Sequence, residues 1–318
     1  MKILVAGGAG FIGSHLCEQL LKNNYLVVCV DNLLTGAEKN IENFKSHPNF
    51  CFINHDVIKP LTINEKIDAI FHMASPASPN HHSKLSYHAL PMETMLVNTI
   101  GTLELLKLAK KNNAKFLFAS TSEVYGDPLI NPQPEDYNGN CSTTGPRSVY
   151  DEAKRFGETI TAHFWRKKNV NARIVRIFNT YGPRMLKSDM RMIINFIHQA
   201  LENKPITIFG DGTQTRSLCY VDDMVDGLIK LMFNDNTEKQ IVNLGSTEEH
   251  SVFEYANIVK KLTCSKSQIV FEEKLPEDDP KIRKPDITKA KNLLDWEAKT
   301  KLDKGLEKII NYCKNSNV

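Results

Sequence analysis

The sequence predicts an α/β fold, a doubly wound parallel sheet followed by a smaller C-terminal α/β lobe. Three observations carry that prediction. Apolar runs of strand length alternate with amphipathic helical stretches up to about residue 180, a spaced-glycine turn follows the first run directly, and several runs end in polar residues. In such a sheet the carboxyl ends of the strands open into the ligand crevice, so polar groups placed there are candidates for chemistry.

Taken in order, the strand-like runs are "KILVAGG" near residue 2, "YLVVCVD" ending at Asp31, "NFCFINHD" ending at Asp56, "IDAIFHMAS" ending at Ser75, "AKFLFAS" ending at Ser120 and "NARIVRIFN" ending at Asn179. Between them, 12–23, 92–112 and 150–167 place apolar residues three and four apart, which predicts helices. Strand alternating with helix implies a mostly parallel sheet covered on both faces. Beyond residue 180 the rhythm changes. A helix falls within 184–220 together with the strand and turn region "ITIFGDGTQTRSLCYV", and "QIVNLGS" near 240 reads as a further strand. The polar, proline-bearing "KLPEDDPKIRKPDI" then precedes a last amphipathic helix near 303–314. The expected division is a first domain over 1–178, to which 221–245 returns, and a second lobe made mainly of 179–318.

Composition excludes several classes. Of 318 residues, 41% are hydrophobic and 24% charged, with 40 basic against 37 acidic and a net charge of +3, which gives no reason to expect nucleic acid or a membrane surface as partner. The seven cysteines (Cys17, Cys29, Cys51, Cys141, Cys219, Cys264, Cys313) are scattered, without a C-x-x-C pair. They read as reduced thiols of a cytoplasmic protein, with neither disulfides nor a metal site. The first ten residues run straight into strand and turn, leaving no room for a signal peptide, and no apolar run approaches the ~20 residues of a membrane span.

"VAGGAGFIGSHL" sets Gly7, Gly10 and Gly13 at the mouth of the first helix. A tight turn needs Gly7, close approach of backbone to a pyrophosphate favours Gly10, and helix-on-strand packing favours Gly13. The helix N-terminus adds free N–H groups for phosphates. This Rossmann pattern gains weight from Asp31, eighteen residues past Gly13, whose carboxylate would accept from a ribose diol and repel a 2′-phosphate. The cofactor expected is therefore NAD rather than NADP. Asp56 ends the third run in the same way and would either reach the adenine or cap a loop. Phe11, Ile12, Asn32 and Val57, which neighbour these positions in sequence, and Ala74, at the end of the fourth run, are assigned to the same cofactor site.

"SVYDEAKRFGE" places Tyr150 and Lys154 four apart on a helix, hence on one face. A phenol with a pKa near 10 is a poor base at neutral pH. An adjacent ammonium and a positive nicotinamide would stabilise the phenolate. Thr121, in "FLFASTSEVYGDP", could donate to the same substrate oxygen.

With these residues the chain resembles the extended short-chain dehydrogenase/reductase superfamily of nucleotide-sugar enzymes, and within it the UDP-glucuronate decarboxylase (UDP-xylose synthase) family. The matching segments are "GGAGFIGSHL", "DNLLTG", "HMASPASP", "NTIGTLELLKLAK", "ASTSEVYGDP", "GPRSVYDEAKRFGET", "RIFNTYGPRM", "GDGTQTRSLCYVDD" and "DDPKIRKPDITKAK". The resemblance implies an NAD-binding Rossmann domain, a C-terminal lobe for a UDP-sugar, and a homodimer formed through a helix bundle. It places Thr121 at the catalytic Ser/Thr position. Ser122 and Glu123 then fall on two positions that carry Asp-Glu in 4,6-dehydratases, small or neutral residues in 4-epimerases, and Ser-Glu in the decarboxylases. It further implies that Tyr150 takes the 4-hydroxyl proton while hydride passes to NAD, that the resulting 4-ketone lets the C6 carboxylate leave, and that the hydride then returns.

Arg283, in "KIRKPD", matches an arginine that would bind the substrate carboxylate or assist protonation at C5. Asn179, Arg184, Arg191 and Arg216, with Pro76 and Ser78, are expected to line the UDP-sugar site, and Asn98 to support the active-site backbone. His81, His82 and His88 lack ligand spacing and read as a polar loop at the mouth of the sugar pocket. The chain departs from the family between "SPASP" and "NTIGT", where it is several residues longer and carries Glu93 and Leu96 in place of basic or polar residues. Met92, Met95 and Leu96 of that stretch are candidate dimer-interface residues. Three alternatives stay open: a 4-epimerase or 4,6-dehydratase of the same superfamily, a related decarboxylase that releases the 4-keto pentose, and a non-catalytic NAD-binding regulator.

Overall fold

The structure, a computed structural model, describes residues 1–272 and 280–315. The stretch 273–279 of the expected proline-bearing segment lies outside the described residues. The chain begins β1 (Lys2–Ala6), α1 (Phe11–Lys22), β2 (Leu26–Asp31), β3 (Phe50–Asn54) and β4 (Ala69–His72). It continues through α2 (Pro91–Leu96), α3 (Thr102–Asn112), β5 (Lys115–Thr121), α4 (Ser148–Lys167) and β6 (Ala172–Ile177). These are the expected runs and helices, with one change. The helix read over 92–112 is broken by a π turn at Val97–Gly101. Side chains account for the widened turn: Asn98 Nδ2 donates to the Thr94 carbonyl at 2.8 Å and to Ser75 Oγ at 2.9 Å, and Thr102 Oγ1 donates to the Asn98 carbonyl at 2.7 Å. Asn98 thus supports the backbone, and such turns gather at functional sites.

Beyond β6 come β7 (Thr180–Tyr181), α5 (Met192–Leu201), β8 (Ile206–Phe209), β9 (Thr215–Ser217), β10 (Cys219–Tyr220) and α6 (Val221–Phe233). Then follow β11 (Ile241–Leu244), β12 (Glu249–Ser251), α7 (Val252–Thr263), β13 (Ile269–Glu272), β14 (Ile282–Arg283), α8 (Thr288–Leu294) and α9 (Leu302–Asn315). Seven parallel strands form the main sheet in the order β11-β6-β5-β4-β1-β2-β3, so the direction of winding reverses between β1 and β4. The crevice opens at that reversal.

Strand alternation sorts the core onto the two faces of the sheet. Ile3, Val5, Leu117 and Ala119 face one cluster, which runs on through α5, α6 and α7, while Leu4, Ala6, Phe116 and Phe118 face the other, beneath α3 and α4. Smaller sheets shape the far side of the crevice. β9 pairs antiparallel with β12 and parallel with β14, setting Arg283 opposite Arg216.

Candidate active site

The glycine turn requires its glycines. Gly7 has φ +79°, and a Cβ there would stand 2.6 Å from the Ala74 backbone nitrogen; a Cβ on Gly13 would collide with the Gly7 carbonyl oxygen. Asp31 fastens the loop from beneath, its Oδ2 accepting from the Ala9 amide at 2.9 Å and its Oδ1 from the Leu33 amide at 2.8 Å. Burial pushes its carboxyl up, and the amides of Leu33, Ala9 and Gly10 pull it back. The N-cap residue of α1, Gly10, makes no side-chain hydrogen bond and the first turn holds no acid. A close-approach turn at an uncapped helix N-terminus fits the pyrophosphate of a dinucleotide.

From this turn a cavity of about 720 Å³ extends past the ends of β5 and β6 to β9 and β14. Gly7, Gly10, Phe11, Ile12 and Gly13 line one end. Thr121, Ser122, Glu123, Tyr150 and Lys154 line the middle, and Ser78, Asn179, Arg184, Arg191, Arg216 and Arg283 the rest. The remaining expected residues stand away from its wall. Asn32 turns its side chain to the Leu34 amide, Asp56 closes a turn on the Ile58 amide at 3.1 Å, and Val57 is core. Ala74 abuts Gly7, and the Pro76 carbonyl accepts from Ser75 Oγ. Asp31 acts on the turn from behind.

At the centre, Thr121 stands beside Tyr150 on the cavity wall, its Oγ1 accepting from the Glu123 amide at 3.2 Å. Burial pushes the Tyr150 phenol up, opposite to the direction expected from its lysine, and the nearby Thr121 hydroxyl acts against that rise. Lys154 donates to the Ala119 carbonyl at 2.7 Å and lies 5.7 Å from the Tyr150 ring centre. Its own burial brings its pKa down to about 7. Lysine and tyrosine therefore meet with both charged forms disfavoured by the same dry surroundings.

Glu123 is gripped from two sides. Its Oε2 pairs with Arg147 and its Oε1 with Arg283. Burial pushes the carboxyl up, but the guanidinium charges of Arg147 and Arg283 outweigh it and hold Glu123 well below the usual carboxylate range. Arg283 also donates to the Gly126 carbonyl, at 3.3 Å, and its Nε has no hydrogen-bond partner. Asp151 is buried beside this group, and burial with the Glu123 charge pushes it up.

Of the expected arginines, Arg184 pairs with Glu18 of α1 and Arg191 with Asp189 at 3.2 Å, so both arrive already anchored. Sequence reasoning missed Arg147, the N-cap residue of α4, because its role comes from Glu123, which the end of β5 brings beside it. It also missed the support under β5. Ser120 Oγ donates to Glu158 at 2.6 Å, Glu158 pairs with Arg176 at 2.9 Å, and Arg176 reaches Tyr125 OH at 2.9 Å. His81 and His82 do line the cavity, and no group of metal-ligating residues occurs among the described residues.

Comparison with known proteins agrees with this geometry. The NAD dependent epimerase/dehydratase family matches residues 3–245. UDP-glucuronic acid decarboxylase 1 of Danio rerio is 49% identical over 313 residues, covering 98% of this chain and 72% of the relative. UDP-glucuronic acid decarboxylase 5 of Arabidopsis thaliana is 50% identical over 307 residues, covering 96% and 87%. Among solved structures, the chain is similar to UDP-glucose 4-epimerase of Thermotoga maritima, with a TM-score of 0.88, 29% identity and 100% of each chain covered. It is also similar to UDP-glucuronic acid 4-epimerase of Bacillus cereus, solved with UDP-glucuronic acid and NAD, at a TM-score of 0.85 and 32% identity over 99% of each chain.

Proposed function

Because the chain belongs to the NAD dependent epimerase/dehydratase family, and within it to the UDP-glucuronic acid decarboxylases, we propose that it converts UDP-glucuronate to UDP-xylose and carbon dioxide. The observation that carries this reading is the ionised Glu123, clamped by Arg147 and Arg283 beside the Tyr150–Thr121 pair.

NAD is the cofactor, and when bound it takes hydride from C4 of the sugar and later gives it back. Gly7, Gly10 and Gly13 would hold its pyrophosphate, in a turn that Asp31 fixes from behind. Tyr150 takes the proton of the 4-hydroxyl, and Thr121 hydrogen-bonds the same oxygen. Once C4 is a ketone, the C5–C6 bond breaks and its electron pair passes into a 4,5-enolate while C6 leaves as carbon dioxide. Tyr150 and Thr121 stabilise the enolate oxygen. A proton then adds at C5, and Tyr150 returns its proton to O4. Arg283 is the cation for the substrate carboxylate, and Arg191 and Arg216 take the diphosphate, a role supported by their lying on the cavity wall and by guanidinium forks suiting paired oxygens. A leaving 6-hydroxyl would need an acid at position 122, where this chain has serine.

The reading extends to organisation. Residues 1–178 with 221–245 hold NAD, and 179–318 mainly hold the UDP-sugar, which is supported by β11 pairing with β6. Two chains associate through the α2–α3 and α4 faces, where Met92, Ile100 and Phe156 are exposed. All seven cysteines are free thiols, which supports a cytoplasmic enzyme.

Proton NMR of the protein with UDP-glucuronate and a small amount of NAD tests the reaction. UDP-xylose accumulating beyond the cofactor concentration is the expected result. UDP-galacturonate would instead make the protein a 4-epimerase, and a released 4-keto pentose would mean that hydride does not return.

A further inference from the structure

Tyr87 lies in the stretch between "SPASP" and "NTIGT", and the reaction chemistry gives it no part. Its ring stacks on that of Tyr150 with centres 4.9 Å apart and planes 7° from parallel. It is 1% exposed, and its hydroxyl is buried without a hydrogen-bond partner. Arg147, which also grips Glu123, has its guanidinium 6.0 Å from the Tyr87 ring centre. The His88 ring lies 4.5 Å from that of Tyr87, tilted by 48°, and stacks in turn on His81 at 4.0 Å.

The segment carrying Tyr87 is tied across the cavity rather than hanging over it. Ser78 Oγ donates to the Asp189 carbonyl at 2.7 Å, Asn80 Nδ2 to the Met190 carbonyl at 2.8 Å and Ser83 Oγ to the Ser188 carbonyl at 2.6 Å. The Tyr87 amide donates back to the Ser78 carbonyl at 3.1 Å. These bonds fix the segment that presents the Tyr87 ring to Tyr150 of α4. A buried phenol with a parallel ring against one face has little freedom to rotate or to admit water.

We propose that Tyr87 is a positioning residue for the reaction, its ring setting the orientation of the Tyr150 phenol and keeping water from its face. The inference rests on Tyr150 being the acid–base group of the proposed reaction, but the stack itself can be tested without turnover. The Tyr87 hydroxyl has no partner, so the ring and not the hydroxyl carries the role, and Tyr87→Phe should behave as the wild type.

Two measurements decide it on Tyr87→Phe, Tyr87→Leu and Tyr87→Ser, each checked for folding by thermal melting. The first is the tyrosine-ring NMR spectrum of the NAD-bound protein, with Tyr150 identified by the signals that vanish in Tyr150→Phe. Stacking should displace the Tyr150 ring signals in wild type and Y87F and leave them undisplaced in Y87L and Y87S. Coincident Tyr150 signals in all four proteins would overturn the stack whatever the enzyme does.

The second is the pH dependence of kcat. Loss of orientation should lower kcat about tenfold or more in Y87L and Y87S with KM changed less than about threefold, small misplacements near reacting atoms having large rate effects. The rising acid limb should also move to lower pH, because admitted water relieves the burial that raises Tyr150. Glu123, Asp151, Arg191 and Lys154 face Tyr150, and Arg147, Glu123, Asp151 and His88 face Tyr87; none is altered by these substitutions. A Y87L with wild-type kcat and limb, or a Y87F as impaired as Y87S, would overturn the proposal. Should Y87S fail to fold, Y87L carries the same comparison. An absence of UDP-xylose in the wild type would sink the reaction while the NMR comparison still decides the stack.

Discussion

Glu123 and Arg283 meet across 160 residues of chain, a carboxylate at the end of β5 paired with a guanidinium delivered by β14, with Arg147 closing the other side. Side-chain exposures of 12%, 4% and 7% make this a buried cluster, to which the weak energetics of surface pairs do not apply. Removing one partner from a buried ion pair costs about 3–5 kcal/mol, and here it leaves Glu123 held by Arg283 alone. Arg147→Met should therefore destabilise the protein by that order in urea titration. The double variant with Glu123→Gln should lose less than the sum of the two single variants, because with Glu123 neutral Arg147 has no carboxylate left to hold. Additive losses would mean that Glu123 does not depend on Arg147.

Tyr150→Phe keeps the ring, and with it the stack on Tyr87, while removing the proton carrier. Turnover should fall by about 10²–10⁴, the usual weight of a positioned acid–base group. NAD affinity should stay within about twofold, since the glycine turn is built without Tyr150. Biological activity that survives this change would favour the non-catalytic regulator.

Much of the fold was legible because strand and helix leave different periodicities, and the runs ending at Asp31, Ser75, Ser120 and Asn179 mark the crevice rim. The glycine turn was legible for a local reason, since the residues that clash or fit are within a few positions of one another. Arg147 and Tyr87 were not, because their roles arise from contacts with β5, β14 and α4 that no local pattern records. The π turn escaped for a related reason. Asn98 and Thr102 look like ordinary helix residues until Ser75 is brought beside them. The direction of the Tyr150 shift also needed three dimensions, since adjacency of lysine is visible in sequence and depth of burial is not.

The three glycines of the turn should not be equivalent. A methyl group on Gly10 would meet the Gly7 carbonyl oxygen at 3.2 Å, a contact that small shifts relieve, whereas on Gly13 it would overlap backbone that cannot move. Gly13→Ala should lower thermal stability and abolish the further stabilisation by NAD. Gly10→Ala should keep its stability and bind NAD less tightly, through obstruction alone. Melting curves with and without NAD check both, and equal behaviour of the two variants would contradict the packing described.

His72 gives the fold a built-in acid sensitivity. It ends β4, is buried, and contacts the Thr102 hydroxyl at 3.1 Å and the Val97 carbonyl at 3.3 Å. Burial, and then the nearby Lys154 charge, bring its pKa down from 6.5 to about 3. A base whose folded pKa lies below its unfolded value contributes stability that is complete above the unfolded pKa and is lost as pH falls toward the folded one. For His72 that window runs from about 6.5 down to 3. At pH 5 the loss is about 2 kcal/mol, from about 1.4 kcal/mol per unit of pH below the unfolded value. His15, His88 and His198 are shifted in the same direction and add to the slope of the wild type, so the informative quantity is a difference. Urea titrations at pH 7 and pH 5 on wild type and His72→Asn should show the variant losing about 2 kcal/mol less over that interval, although it starts from a lower stability. Parallel losses in the two proteins would mean that His72 takes up its proton without unfolding the chain.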